Sequence, residues 1–127
     1  MRRKSEKGQS LVEFALILPL MLLLLCAVVD YGWLFTHELV LSSAVRDGAR
    51  VGITCTEDSG FATQVRSRVR QECGIFDQSH LSVVTYVHNG DVVVNAAYDL
   101  PMLTPMAAVF VGGMSYHMDA GCTMRAE

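Results

Sequence analysis

At 127 residues, with 51% hydrophobic and 18% charged side chains, the chain suits one small domain plus at most one extra element. That excludes a large enzyme, and the apolar content excludes a disordered polymer. From residue 36 onward six arginines and no lysine stand against ten acids, a net charge of about −4 that does not suit a nucleic-acid binder.

The apolar residues are concentrated near the start. Arg2, Arg3, Lys4 and Lys7, with one acid among them, Glu6, and then Glu13, precede sixteen uncharged residues in succession, 14–29. Taken on to Phe35 the stretch is 22 residues long, and at ~1.5 Å per residue a helix of that length covers ~33 Å, enough to cross a bilayer core once. The first basic residue after it is Arg46, so the charge bias keeps the N-terminus cytoplasmic and puts the rest outside. A cleaved secretory signal is the rival reading, but no A-x-A-like site follows Val29. Asp30-Tyr31-Gly32-Trp33-Leu34-Phe35 follows instead, with aromatic residues at the level of a membrane–water interface. Glu13 and Asp30 flank the apolar run. A carboxylate at a bilayer centre costs ~2.5–3.5 kcal/mol on insertion scales, so each needs either a partner or the headgroup region. Pro19, inside the run, removes one backbone hydrogen bond and is expected to bend or loosen the helix.

Gly8-Gln9-Ser10-Leu11-Val12-Glu13-Phe14 resembles a type IV prepilin processing site, in which a basic leader ends in glycine and glutamate is the fifth mature residue. The longer pattern is more specific. GQSLVEFALILPLMLLLL, containing Phe14 and Pro19, is followed by VVDYGWLF, with Asp30 and Gly32, and then by Ala44-Val45-Arg46-Asp47-Gly48-Ala49-Arg50. The three blocks, in order over residues 8 to about 53, resemble TadE-like minor pseudopilins of the tight-adherence (Flp, type IVc) pilus system. Met124-Arg125-Ala126-Glu127 resembles the same family's C-terminal finish. Gln9-Ser10 departs from it, since many relatives carry small residues there.

The resemblance implies a leader at 1–8 removed by a prepilin peptidase, a long helix at 9–53 with its membrane part at about 14–35, and an extracytoplasmic head at 54–127. It implies the inner membrane as location, with the head periplasmic or extracellular, or else the pilus. The implied partners are the peptidase, other minor pseudopilins, the major Flp pilin, the inner-membrane assembly platform and membrane lipid, with no nucleic acid. For Glu13 it implies neutralisation of the new Gln9 amine on a neighbouring subunit. Opposite charges at ~4 Å gain ~4 kcal/mol at an effective dielectric near 20 before desolvation. A contact within one chain at i,i+4 satisfies the same charges, as does a glutamate lying in the interface.

Beyond the interface Leu34, Leu41, Val45 and Gly48 or Ala49 keep a three-to-four-residue spacing, which predicts one helix from Ser10 to about Gly52. Ser42, Ser43, Ala44, Gly48, Ala49 and Gly52 permit close approach, either of another subunit or of this chain's own sheet. A second helix is predicted at about Gly60 to Cys73, with Asp58 or Ser59 as N-cap, Phe61, Val65 and Val69 on one face, and Arg66, Arg68 and Arg70 mainly in solvent. Residues 81–88 and 91–99 around Asn89-Gly90 predict a hairpin with a type I′ turn, pairing Val87 with Val92 and Leu81 with Tyr98. Pro101 to Phe110 reads as a loop or short helix, Gly112-Gly113 as a turn, and the alternation from Met114 to Arg125 as a last half-buried strand. The fold class is α+β: a long helix, a second helix and about three antiparallel strands.

Cys55 and Cys73 flank the second helix in a compartment expected to be oxidising, which makes them the favoured disulfide, leaving Cys122 free and buried on the sheet. His80, His88 and His117 sit at unrelated spacings, and no C-x-x-C or H-x-x-x-H occurs, so no metal and no cofactor are expected. Nor is there a nucleophile elbow or phosphate loop, and no enzymatic activity is expected. The competing functional class is an uncleaved single-pass membrane protein with a small extracytoplasmic binding or regulatory domain.

Overall fold

The computed structural model describes residues 3–55, 59–105, 108–109 and 112–125, with backbone alone for 3–7. The first helix, α1, runs Arg3–Thr54 without a break, a rod of 52 residues and roughly 78 Å. It starts earlier than expected, and Pro19 lies inside it without ending it. Loss of one donor is tolerable where the remaining hydrogen bonds of a long helix hold both sides of the gap. Three further segments pack on its upper half. They are α2 (Phe61–Glu72), a hairpin of β1 (Leu81–His88) and β2 (Asp91–Pro101), and β3 (Ser115–Arg125).

The small residues of α1 decide how these segments sit. A Cβ built on Gly48 would lie 2.4 Å from a γ-methyl of Val69, and one on Gly52 would lie 2.7 Å from a γ-methyl of Val92 and 3.1 Å from the Phe61 ring. Both positions therefore bring α2 and the sheet against the bare helix backbone. Of the two alternatives for the small stripe, packing within one chain is what Ala44, Gly48, Ala49 and Gly52 do, all four being buried. Ser43 points outward.

In α2, Val65 and Val69 lie one turn apart and are buried, while Arg66 and Arg70 are exposed. The N-cap is Gly60, without a side-chain hydrogen bond. It stands one residue later than Ser59, and Asp58 lies outside the described residues. Arg68 pairs with Glu72 at 2.8 Å, half-exposed and one turn apart. Such a pair contributes ~0.3–0.5 kcal/mol, against ~1.5–3 kcal/mol for burying each valine, so packing rather than charge holds this helix.

The hairpin has the predicted register, from His88 opposite Asp91 to Leu81 opposite Tyr98. Asn89 (φ 53°) and Gly90 (φ 84°) both take positive φ, the conformation a type I′ turn demands and that Asn-Gly supplies. β2 is central, with β3 antiparallel on its other side from Asp91 opposite Arg125 to Pro101 opposite Ser115. Val92, Val94, Ala96, Tyr98 and Leu100 alternate inward and close the core with Leu41, Val45, Val83 and Met118. β2 descends along α1. Val92 lies at Gly52, the Tyr98 ring packs tilted against Phe76 and Phe76 against His37, and beyond the strand Thr104 meets Asp30.

Gly48→Ala is expected to destabilise the head by about 1–3 kcal/mol, since the branched Val69 side chain is buried and cannot swing away. Urea unfolding of the full chain in detergent measures it, with Val69→Ala in the same chain restoring part of the loss. On the outer face, His117 Nδ1 lies 2.6 Å from Asp99 Oδ1 across the β2–β3 pair. The hydrogen bond and the charge of Asp99 raise the His117 pKa above its ordinary value. The pair's contribution is therefore complete below that ordinary value and fades as pH climbs through the raised one. An NMR titration of His117 should show the raised midpoint, and Asp99→Asn should lower it.

Candidate functional site

The lower half of α1 is bare. From Leu11 to Val29 its large apolar side chains other than the half-buried Leu23 stand exposed, and among the described residues this helix alone is long and apolar enough to cross a membrane, with none of its most apolar stretch buried. Gly8 and Gln9 are exposed near its start, and nothing lies within 4 Å of a Cβ built on Gly8. Glu13 is exposed one turn above Gln9 on the same face. Phe14 projects outward from the next position.

The second block behaves differently. Asp30, expected in the headgroup region, is only 8% exposed. Its Oδ2 accepts the Thr104 hydroxyl hydrogen from the loop after β2, and its Oδ1 is buried without a hydrogen-bond partner. The head therefore reaches down α1 as far as Asp30. Gly32 has open space where a Cβ would go, and nothing in the structure requires glycine there. Above it His37, 2% exposed, donates from Nδ1 to the Trp33 carbonyl oxygen at 2.9 Å. Its ring lies 4.3 Å from that of Trp33 and 5.1 Å from that of Phe76, and Phe76 lies 4.5 Å from Tyr98. This cluster of tilted rings fastens α1 to the last part of β2.

Neither His37 nor Thr104 was singled out from the sequence. The signal for His37 was present, because positions 30, 34, 37, 41, 45, 48 and 52 continue one helical face below Leu41. A histidine and an aspartate on that stripe hid its extension. Thr104 carried no comparable signal.

The third block divides. Gly48 and Ala49 are buried against α2 and the sheet, Asp47 is half-buried, and Arg46 and Arg50 project from the free face. Residues 8–50 match the family model of TadE-like proteins. The N-terminal rod is TadE-like. No curated protein and no solved structure matches the chain. The match covers the bare half of α1 and most of its clasped half, but none of α2 or the sheet. It associates the chain with a Tad pilus system, and with the apolar helix it points to membrane association.

The bridge expected between Cys55 and Cys73 is absent, all four cysteines being free thiols. Cys55 lies at the start of α2, donating from Sγ to Gln64 Oε1 at 3.1 Å, whereas Cys73 caps the other end of that helix. Nine residues of chain from Gln64 to Cys73 along the helix cover roughly 14 Å, beyond the ~7 Å that a disulfide spans between Cα atoms. Cys122 is half-buried rather than fully buried. Arg66 and Arg70 line a shallow hollow with Gln78, whose Nε2 donates to the Cys73 carbonyl oxygen at 3.1 Å. Among the described residues no group of three or more His, Cys, Asp or Glu is arranged to hold a metal ion.

Burial, and secondarily the charge of Glu72, pushes the Cys73 thiol up to about 11. Since the thiolate is the reactive form, Cys73 should be alkylated by iodoacetamide at pH 8 at least about 100-fold more slowly than Cys55 in the native chain. Peptide mass mapping after timed labelling checks this, and urea should abolish the difference.

Proposed function

We propose that the chain is a minor pseudopilin of a tight-adherence (Flp, type IVc) pilus, cut by a prepilin peptidase after Gly8 and acting in assembly, priming or tip structure for surface adherence. The observation that carries this reading is the TadE-like match over residues 8–50, lying on a helix whose lower half leaves nearly all of its large apolar side chains exposed. The part is structural rather than enzymatic. Its expected partners are the peptidase, sister pseudopilins, the major Flp pilin and the inner-membrane platform.

The chemistry follows from the rod. Cutting the Gly8–Gln9 bond would turn the Gln9 nitrogen into an ammonium at the membrane surface. The bond lies inside α1, so the peptidase must unwind the first turns, and glycine lowers that cost by about 1 kcal/mol relative to alanine. Glu13 has no hydrogen-bond or ion partner in its own chain among the described residues, which leaves its carboxylate available to the ammonium of a neighbour. Leu11 to Val29 then pack against the rods of other subunits, and the exposed Arg46 and Arg50 ride outside the membrane on the free face.

Mass spectrometry of the protein from cells with active prepilin peptidase is expected to show Gln9 as the first residue. Intact Met1 would reject this reading in favour of an uncleaved single-pass membrane protein. Glu13→Ala should leave cleavage intact and strongly reduce incorporation into pili, measured by blotting sheared pili against the membrane fraction. Unchanged incorporation would remove the proposed charge role.

A further inference from the structure

The loop joining β2 to β3 lies at the end of the head where the bare half of α1 begins, and its sequence is unusual for a surface loop. From Leu100 to Tyr116, seventeen residues, there is no charged side chain. Uncharged apolar stretches of this kind, too short to cross a bilayer with prolines and glycines inside them, suit an interfacial position. The loop is also held at a fixed height. The Met102 N–H donates to the Met114 carbonyl oxygen at 2.9 Å and closes its neck, while Thr104 ties it to Asp30, the residue that follows the last apolar position of the run.

The loop turns apolar side chains outward. Leu103 is 55% exposed, and Val109 and Met114 are each 78% exposed. Tyr31 and Phe35 of α1 are exposed at the same level, where aromatic rings favour the boundary between headgroups and acyl chains. The contact of Thr104 with Asp30 thus brings these exposed loop side chains beside the end of the apolar run.

We propose that the β2–β3 loop dips into the outer interfacial layer of the bilayer that α1 crosses, giving the head a second contact with lipid. The inference rests on reading α1 as a membrane span. Leu103, Val109 and Met114 enter the headgroup–acyl boundary, while Thr104 covers the Asp30 carboxylate. The head is then held at two points, which fixes its rotation about the rod as well as its height.

The full chain, carrying Trp33→Phe so that one introduced tryptophan reports, is reconstituted in phosphatidylcholine–phosphatidylglycerol vesicles. Quenching by lipids brominated on the upper acyl chain is read for Val109→Trp and Leu103→Trp in the loop, Leu25→Trp in the span and Val84→Trp on the outer face of the sheet. The expected result is roughly twofold quenching at 25 and at 109 or 103, with none at 84. Quenching at 25 but at neither loop position overturns the loop contact and leaves the span standing. Blue-shifted loop emission without quenching means that another copy covers the loop, and equal quenching at 84 means the head lies on lipid by another face. Either outcome overturns the proposal. No quenching at 25 overturns the span reading and the proposal together.

Discussion

The head holds to its rod through backbone left uncovered at two glycines. Val69 and Val65 settle over Gly48, and Val92 and Phe61 settle over Gly52, so α2 and the central strand both come closer to α1 than side chains would allow. Each valine so buried contributes more than the surface ion pair Arg68–Glu72. The rest follows from this approach. β2 must descend along α1 from Gly52, which delivers Tyr98 to the ring cluster with Phe76 and His37, and finally Thr104 to Asp30.

The A-V-R-D-G-A-R block reads differently once that contact is clear. Its small members hold the head, and its two arginines face away from it. One short stretch of helix thus serves two purposes on opposite sides, folding on one and an outward basic stripe on the other. The division has a simple origin, because 3.6 residues per turn separate Gly48 from Arg46 and Arg50 by about half a turn.

The sheet was legible in the sequence because its determinants are local. Period-two alternation sets the face, and Asn89-Gly90 sets the turn, so the whole β1–β2 register follows. The rod was legible for the same reason, from its apolar run and the spacing above it. Contacts joining distant parts of the chain were not. Asp30 and Thr104 are 74 positions apart, and an aspartate beside an apolar run reads equally well as a headgroup residue. The Cys55–Cys73 pairing failed because flanking a helix in sequence places two residues at its opposite ends in space. Of the candidate site, the processing motif and the role of Glu13 rest on the family resemblance, whereas the tie at Asp30 needed the fold.

The unbroken course of α1 through both halves of the molecule has a mechanical consequence. No linker or hinge separates the bare rod from the clasped one, and the valines seated on Gly48 and Gly52 leave the head no room to slide. A pull along the axis at the N-terminal end is therefore transmitted to the hairpin tip like the stroke of a piston. Asn89 and Gly90, carried beyond Gly52 at the far end, sink by as much as the rod is withdrawn.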